Sequence, residues 1–205
     1  MTKALAAAFS LCLPLSLLAP LPAALAGEQV AIFAGGCFWC IEKDFEHVAG
    51  VKDVVSGYTG GTNDKPTYRN HVRYGHREVV KITYDDSKVS YQDLLTAFFR
   101  SVDPTDGGGQ FCDRGHSYST AVYAVNGEQL ELAKAAKVQA GKDLGQPIAT
   151  EIALAAPFTE AEDYHQDYYK KSKVRYNYYR YACGRDARVK KLWGDMAYTL
   201  IDKTS

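Results

Sequence analysis

The chain has 205 residues, 46% of them hydrophobic, and its 24 basic side chains are balanced by 24 acidic ones. A net charge near zero offers no electrostatic footprint for a nucleic-acid backbone or an anionic membrane surface, so neither partner is expected. The length suits one domain large enough to bury a real core.

The first stretch stands apart from that domain. Met1 to Ala26 carries one charge, Lys3, followed by an apolar run that ends Ala24-Leu25-Ala26. A short apolar segment closed by small residues reads as a signal peptide cut after Ala26. The domain would then run from Gly27 to Ser205, secreted or periplasmic. A membrane anchor is the competing reading. A spanning helix needs about 20 uninterrupted apolar residues, and Pro14, Pro20 and Pro22 interrupt this run. With the leader goes Cys12.

From Gly27 the elements follow in order. Gln29 to Ala34 is a short run of strand formers closed by Gly35-Gly36. After Cys37 the period changes: Phe38, Ile41, Phe45 and Val48 recur every three to four residues, which predicts a helix ended by Gly50. Val51 to Tyr58 is the next strand, closed by Gly60-Gly61, and Asn63 to Gly75 is a polar loop. Glu78 to Tyr84 is strand-like. Ser90 caps a helix that buries Leu94, Leu95, Phe98 and Phe99 and stops before Pro104. A long loop with Gly107 to Gly109 leads to a strand at Thr120 to Val125. An alanine-rich helix, Glu128 to Ala140, follows and is stopped by Gly141. Ile148 to Ala153 is another strand, and Thr159-x-x-Glu162 reads as a capping box opening a helix through about Lys171. From Lys173 the tail is aromatic and basic and is expected to be irregular. The uneven alternation predicts a single α+β domain: a mixed sheet packed with helices in a two-layer, ferredoxin-like core.

Four cysteines lie beyond the leader: Cys37, Cys40, Cys112 and Cys183. Zinc is not expected, because a structural site wants four ligands and there is no second C-x-x-C to complete one with Cys37 and Cys40. Cys37 and Cys40 form a C-x-x-C between a strand and a helix, which points to redox chemistry. Cys37 falls at the helix N-terminus, where free N–H groups and the helix dipole favour negative charge, so its thiol is expected to ionise readily. Glu78 sits directly before Val79-Val80 in a strand, where burial would keep a carboxyl neutral. Most of the 15 tyrosines must serve packing.

Several blocks together resemble the type A peptide-methionine sulfoxide reductases. They are Gly36-Cys37-Phe38-Trp39, Gly57-Tyr58-Thr59-Gly60-Gly61, Pro66-Thr67-Tyr68, Gly75-His76-Arg77-Glu78-Val79-Val80, Asp103-Pro104-Thr105, the Gln110 to Tyr118 segment, and Glu162-Asp163-Tyr164-His165-Gln166-x-Tyr168. They span roughly residues 30 to 170. The resemblance implies that Cys37 attacks the sulfoxide sulfur and that protonated Glu78 donates to the oxygen. It implies that Tyr118 and Tyr68 hydrogen-bond that oxygen and that Phe38 and Trp39 line a pocket for the S-methyl group. Asp113 and Tyr168 would position the substrate's backbone side. It further implies the S epimer at sulfur, oxidised proteins or peptides as substrates, no bound cofactor, and an external thioredoxin-like dithiol as reductant. A monomer is expected.

Three departures bear on recycling. Position 40 is Cys where glycine is frequent. The loop from Tyr68 to Glu78 is about two residues short. The tail carries one cysteine, Cys183, in place of a glycine-rich pair. Cys40, three residues from Cys37 on the helix, is the expected first resolving thiol; Cys183 competes, and Cys112 is weaker. Two other functions stay open on the residues alone: a thioredoxin-type thiol–disulfide oxidoreductase, and a binding module whose cysteines are structural.

Overall fold

The computed structural model describes Met1 and residues 27–203; the leader assigned to 1–26 therefore lies outside the described residues, Met1 apart. Strand β1 (Glu28–Ala34) leads into helix α1 (Phe38–Glu46), followed by β2 (Val51–Thr59), β3 (Arg77–Asp85) and α2 (Tyr91–Phe99). The short strands β4 (Gly109–Gln110) and β5 (Asp113–Arg114) form a small hairpin ahead of β6 (Ala121–Ala124) and α3 (Gly127–Leu144). Then come β7 (Glu151–Leu154), β8 (Thr159–Glu160), α4 (Tyr168–Lys171), α5 (Lys173–Ala182) and α6 (Arg185–Trp193).

Six strands form one sheet in the order β7-β6-β1-β3-β2-β8, with β6–β7 parallel and the other pairs antiparallel. Its centre, β6-β1-β3-β2, is the split β-α-β arrangement of a ferredoxin-like core, as the sequence predicts. The two faces follow from the period of two along each strand. Ala31, Phe33, Val80, Ile82 and Val122 join Ile41 and Phe45 of α1, Leu94, Leu95 and Phe98 of α2, and Ala133 of α3 in the main core. The alternate residues Ile32, Ala34, Val79, Ala121 and Tyr123 face the other way, under Ala153 and Phe158. Phe33 anchors the first face, its ring 5.0 Å from Phe98 and 5.4 Å from Phe45. Burying each such ring contributes about 1.5–3 kcal/mol.

Local signals hold in detail for α2. The Ser90 hydroxyl accepts from the Asp93 N–H at 3.1 Å, and the Asp93 carboxylate accepts from the Ser90 N–H at 3.1 Å, a reciprocal cap. Helix α3 runs through Gly141 to Leu144 and ends where Gly145 takes the left-handed conformation at φ 62°. A mid-helix glycine costs only about 1 kcal/mol, and the stronger stop lies four residues on.

Two expectations are corrected. Thr159-x-x-Glu162 does not cap a helix. Thr159 and Glu160 pair with Tyr58 and Gly57 at the sheet edge. Glu162 accepts from the Tyr58 hydroxyl and the Tyr68 N–H, both at 3.0 Å, so its carboxylate ties β2 to the following loop. Helix begins only at Tyr168. The tail, expected to be irregular, is helical in α5 and α6. Tyr176, Val189 and Trp193 turn inward at helical spacing, and Arg180 and Arg185 are buried with them. Arg180 lies 2.9 Å from Asp44 of α1 and 2.7 Å from Asp186. The Arg185 guanidinium donates to the carbonyls of Gly35, at 3.1 Å, and Ser101, at 3.0 Å. A bridge between Cys112 and Cys183 fixes the end of α5 to the β4–β5 hairpin.

Candidate active site

Gly36 turns the chain from β1 into α1 at φ +86°, with a side chain there placed 2.6 Å from Gln110 Cβ; only glycine fits. Cys37 follows as the helix cap. The Phe38 N–H, one of the free donors of the first turn, goes to Glu78 Oε2 at 3.0 Å rather than to the sulfur. Glu78 reaches it from β3, where it lies opposite Tyr58 of β2.

A cavity of about 60 Å³ gathers these groups. It is lined by Cys37, Phe38, Trp39, Tyr68, Glu78, Asp113, Tyr118 and Tyr179. Seven of these eight are expected from the sequence. Tyr168 stands behind the lining, stacked on Trp39 with ring centres 3.8 Å apart and planes 14° from parallel. The Trp39 N–H donates to His165 Nδ1 at 3.1 Å, which fixes the indole. Tyr179 is missing from the sequence reading. It comes from α5, hydrogen-bonds the Asp113 carboxylate through its hydroxyl and lies edge-on to Trp39. His71, also unpredicted, packs against Tyr58 with Nε2 at 3.7 Å from Glu78 Oε1. The signals for both residues were weak: a tyrosine among many, and a histidine in a polar loop. Cys40 is buried beside Cys37, and together with Tyr176 they form a small cluster flanked by Trp39, Tyr168 and Tyr179. Cys183 is elsewhere, bonded to Cys112.

Burial pushes the Glu78 carboxyl up to about 8; the nearby charges of Asp113 and Cys40 push the same way, against the hydrogen bonds from Phe38 N–H and Tyr118. The carboxyl is therefore protonated at neutral pH, as an acid requires. Burial raises Tyr118 and Tyr68 too, with Glu78 adding to it, so both stay hydroxyl donors. Burial also raises Asp113, against the Tyr179 hydrogen bond.

The thiols depart from expectation. Burial holds Cys37 well above its ordinary value, reinforced by Cys40 and Glu78. Cys40 is the acidic member of the pair, drawn down to about 7, chiefly because Cys37 donates a hydrogen bond to it. Arg185 and Arg180 help from behind, against burial. The helix N-terminus does not dominate at Cys37 because its nearest N–H serves Glu78 instead. The resting site thus holds a protonated thiol at Cys37, an acidic thiol at Cys40 and a neutral carboxyl at Glu78.

A thiol pair beside a neutral buried carboxyl defines the class as a thiol-dependent oxidoreductase site. Comparison with known proteins makes the class specific. The peptide methionine sulfoxide reductase family model matches residues 29–197. The MsrA 2 of Rhizobium meliloti is 54% identical over 178 residues, covering 87% of this chain and 90% of its own. The Bacillus subtilis MsrA is 46% identical over 171 residues, 82% of this chain and 97% of its own. Among solved structures, methionine sulfoxide reductase A of Corynebacterium diphtheriae superposes with a TM-score of 0.65 at 30% identity, covering 72% of this chain and 76% of its own. Reduced Mxr1 of Saccharomyces cerevisiae gives 0.66 at 27% identity, covering 71% and 86%. The chain belongs to the type A peptide methionine sulfoxide reductase family and is an oxidoreductase of methionine sulfoxide. The thioredoxin-type alternative and the binding module give way to this reading.

Proposed function

We propose that this chain reduces the S epimer of methionine sulfoxide in oxidised proteins and peptides, and in the free amino acid, with Cys37 as nucleophile and Glu78 as acid. The supporting observation is the cavity in which the Cys37 thiol, a carboxyl held neutral by burial and two tyrosine hydroxyls converge. The Cys37 sulfur attacks the sulfoxide sulfur while its own proton passes to the Cys40 thiolate that it faces. Glu78 gives its proton to the oxygen, where negative charge would otherwise build up. In the adduct the hydroxyl then passes from the substrate sulfur to the Cys37 sulfur, the S–O bond and the newly formed S–S bond break, methionine leaves with the electron pair, and Cys37 is left as sulfenic acid. Cys40 then attacks that sulfur, water departs, and a Cys37–Cys40 disulfide remains. An external thioredoxin-like dithiol reduces it, and no bound cofactor enters these steps.

Phe38 and Trp39 supply apolar walls for the S-methyl group, and Asp113 and Tyr168 steady the substrate's backbone side. Cys183, bridged to Cys112 near the surface, can enter only a later exchange, after that bridge has been reduced. The apolar leader read in the sequence and the bridge support export to the periplasm or beyond. Turnover of the two separated sulfoxide epimers with dithiothreitol tests the core of this reading: S is expected to react and R not. Equal turnover of both ends the stereochemical assignment. N-terminal sequencing of the exported product is expected to begin at Gly27; a retained Met1 on cytoplasmic protein would overturn the location.

A further inference from the structure

His71 lies in the loop between β2 and β3, is 1% exposed, and has one hydrogen-bonding nitrogen without a partner. Its Nδ1 stands 3.0 Å from the Tyr68 carbonyl, an atom that can only accept, so Nδ1 carries the ring proton. Nε2 is then a bare lone pair. It is buried, has no hydrogen-bond partner among the described residues, and lies 3.7 Å from Glu78 Oε1. The other carboxyl oxygen, Oε2, already accepts the Phe38 N–H at 3.0 Å. Tyr118 hydrogen-bonds the carboxyl too, so Oε1, the oxygen facing His71, is where the proton of a neutral Glu78 meets an open acceptor. An acceptor lacking a donor and an acid with a proton to place stand side by side in a dry site, where leaving either unpaired is costly.

We propose that His71 is a positioning residue for the acid: its Nε2 lone pair takes the Oε1–H of Glu78 between turnovers and releases it to the sulfoxide oxygen when substrate fills the cavity. The inference rests on Glu78 being the acid. The lone pair keeps the proton on Oε1, and it disfavours the carboxylate, which would confront a second lone pair at close range. Once the proton has gone to substrate, Glu78 regains one from solvent through the cavity, and the pair resets. The ring is held for this task by stacking on Tyr58, with centres 5.0 Å apart, and by Tyr68 and Tyr118 around it. The titratable groups facing it are Glu78 from β3, Glu162 and His165 from beyond β8, His76 of its own loop, and the hydroxyls of Tyr58, Tyr68 and Tyr118. Burial, first of these influences, lowers the basicity of the imidazole and keeps it neutral.

The test is single-turnover release of methionine, without reductant, across the neutral and alkaline range. His71→Phe keeps the ring and removes the lone pair. Its alkaline limb is expected to move down by about one pH unit, with the rate at neutral pH reduced several-fold and KM unchanged. His71→Gln, whose amide oxygen can accept in place of Nε2, is expected to restore most of both. A His71→Phe limb at the wild-type position, with Glu78→Gln slow, overturns the role of His71 and leaves the acid. A Glu78→Gln rate equal to wild type overturns the acid reading itself. Nitrogen NMR of ¹⁵N-histidine-labelled wild-type enzyme gives a check that needs no variant to fold. His71 is expected to be neutral and protonated on Nδ1, and a ring protonated on Nε2 at neutral pH overturns the proposal.

Discussion

At the scale of single residues, the chemistry turns on which group holds which proton. Replacing Cys37 by Ser removes the sulfur and little volume, so methionine release is expected to vanish while the fold persists; near-normal turnover in that variant would end the reading. Glu78→Gln keeps the shape and the Phe38 hydrogen bond but cannot deliver a proton, and sulfenic acid formation is expected to slow by about 10²–10⁴-fold. The pH signs follow from a carboxyl raised to about 8. With Glu78 as the proposed acid, the wild-type single-turnover rate is expected to fall as pH rises through about 8. Stability depends on the same proton with the same sign. A folded-state value above the unfolded one contributes stability below the unfolded value, and that contribution is lost as pH rises through the folded one. Glu78→Gln is therefore expected to be more stable than wild type above neutral pH, by a few kcal/mol, with the gain gone below about pH 4. Chemical denaturation of both proteins at acid and alkaline pH measures this; equal stability throughout would mean that Glu78 ionises without strain.

Between residues and the whole lie the elements that hold them, and here the sequence was legible unevenly. Strands β1 to β3 and helices α1 and α2 were readable because their periods are clean and their stops are glycine or proline. Cys37 and Glu78 were readable with them, since a helix start and a strand interior are local features. The last third was misread for the opposite reason. Glu162 imitates a cap, yet its partners Tyr58 and Tyr68 lie roughly a hundred residues away. Helix α5 carries its inward face on Tyr176 and Arg180, and α6 opens its own on Arg185 ahead of Val189 and Trp193, a mixture that a hydrophobic period flags poorly. Their burial is settled by Asp44, a charge inside α1 that the sequence gives no reason to bury. The Asp44–Arg180 pair is thus an element-level joint, holding α5, and with it Tyr179, against the thiols. Asp44→Asn leaves Arg180 with less than its full countercharge and is expected to cost about 3–5 kcal/mol. It is also expected to alter the reactivity of Cys40, whose acidity rests first on the Cys37 hydrogen bond and then on Arg185 and Arg180, against the Asp44 charge. Thermal unfolding and thiol alkylation rates measure the two effects; a variant of wild-type stability would show the pair to be ornamental.

For the molecule as a whole, the question is how oxidising equivalents leave a buried pair, and the last prediction concerns the order of the four cysteines. Cys40 is 2% exposed and adjoins Cys37 in one cluster, whereas Cys183 is already committed to Cys112 across 71 residues of sequence. With that bridge closed, Cys183 has no thiol to offer in the first exchange. Opening it would also loosen the attachment of α5, whose Tyr179 holds Asp113 at the cavity. Closing so long a loop stabilises the fold by about 4 kcal/mol in the chain-entropy account, so reduction is expected to weaken the wall of the active site. The first disulfide formed on turnover should therefore be Cys37–Cys40, with Cys112–Cys183 intact beside it. One equivalent of substrate, given to the wild type and to each single Cys→Ser variant and followed by disulfide mapping in a mass spectrometer, decides it. The wild type and Cys183→Ser are expected to give the same Cys37–Cys40 link at similar rates. Cys40→Ser should stall with Cys37 as sulfenic acid, trapped by dimedone. If Cys40→Ser instead joins Cys37 to Cys183 at the wild-type rate, while Cys183→Ser accumulates the sulfenic acid, then the C-terminal segment must swing into the cavity on every turnover. In that case the bridge to Cys112 would be its resting state rather than a structural tie.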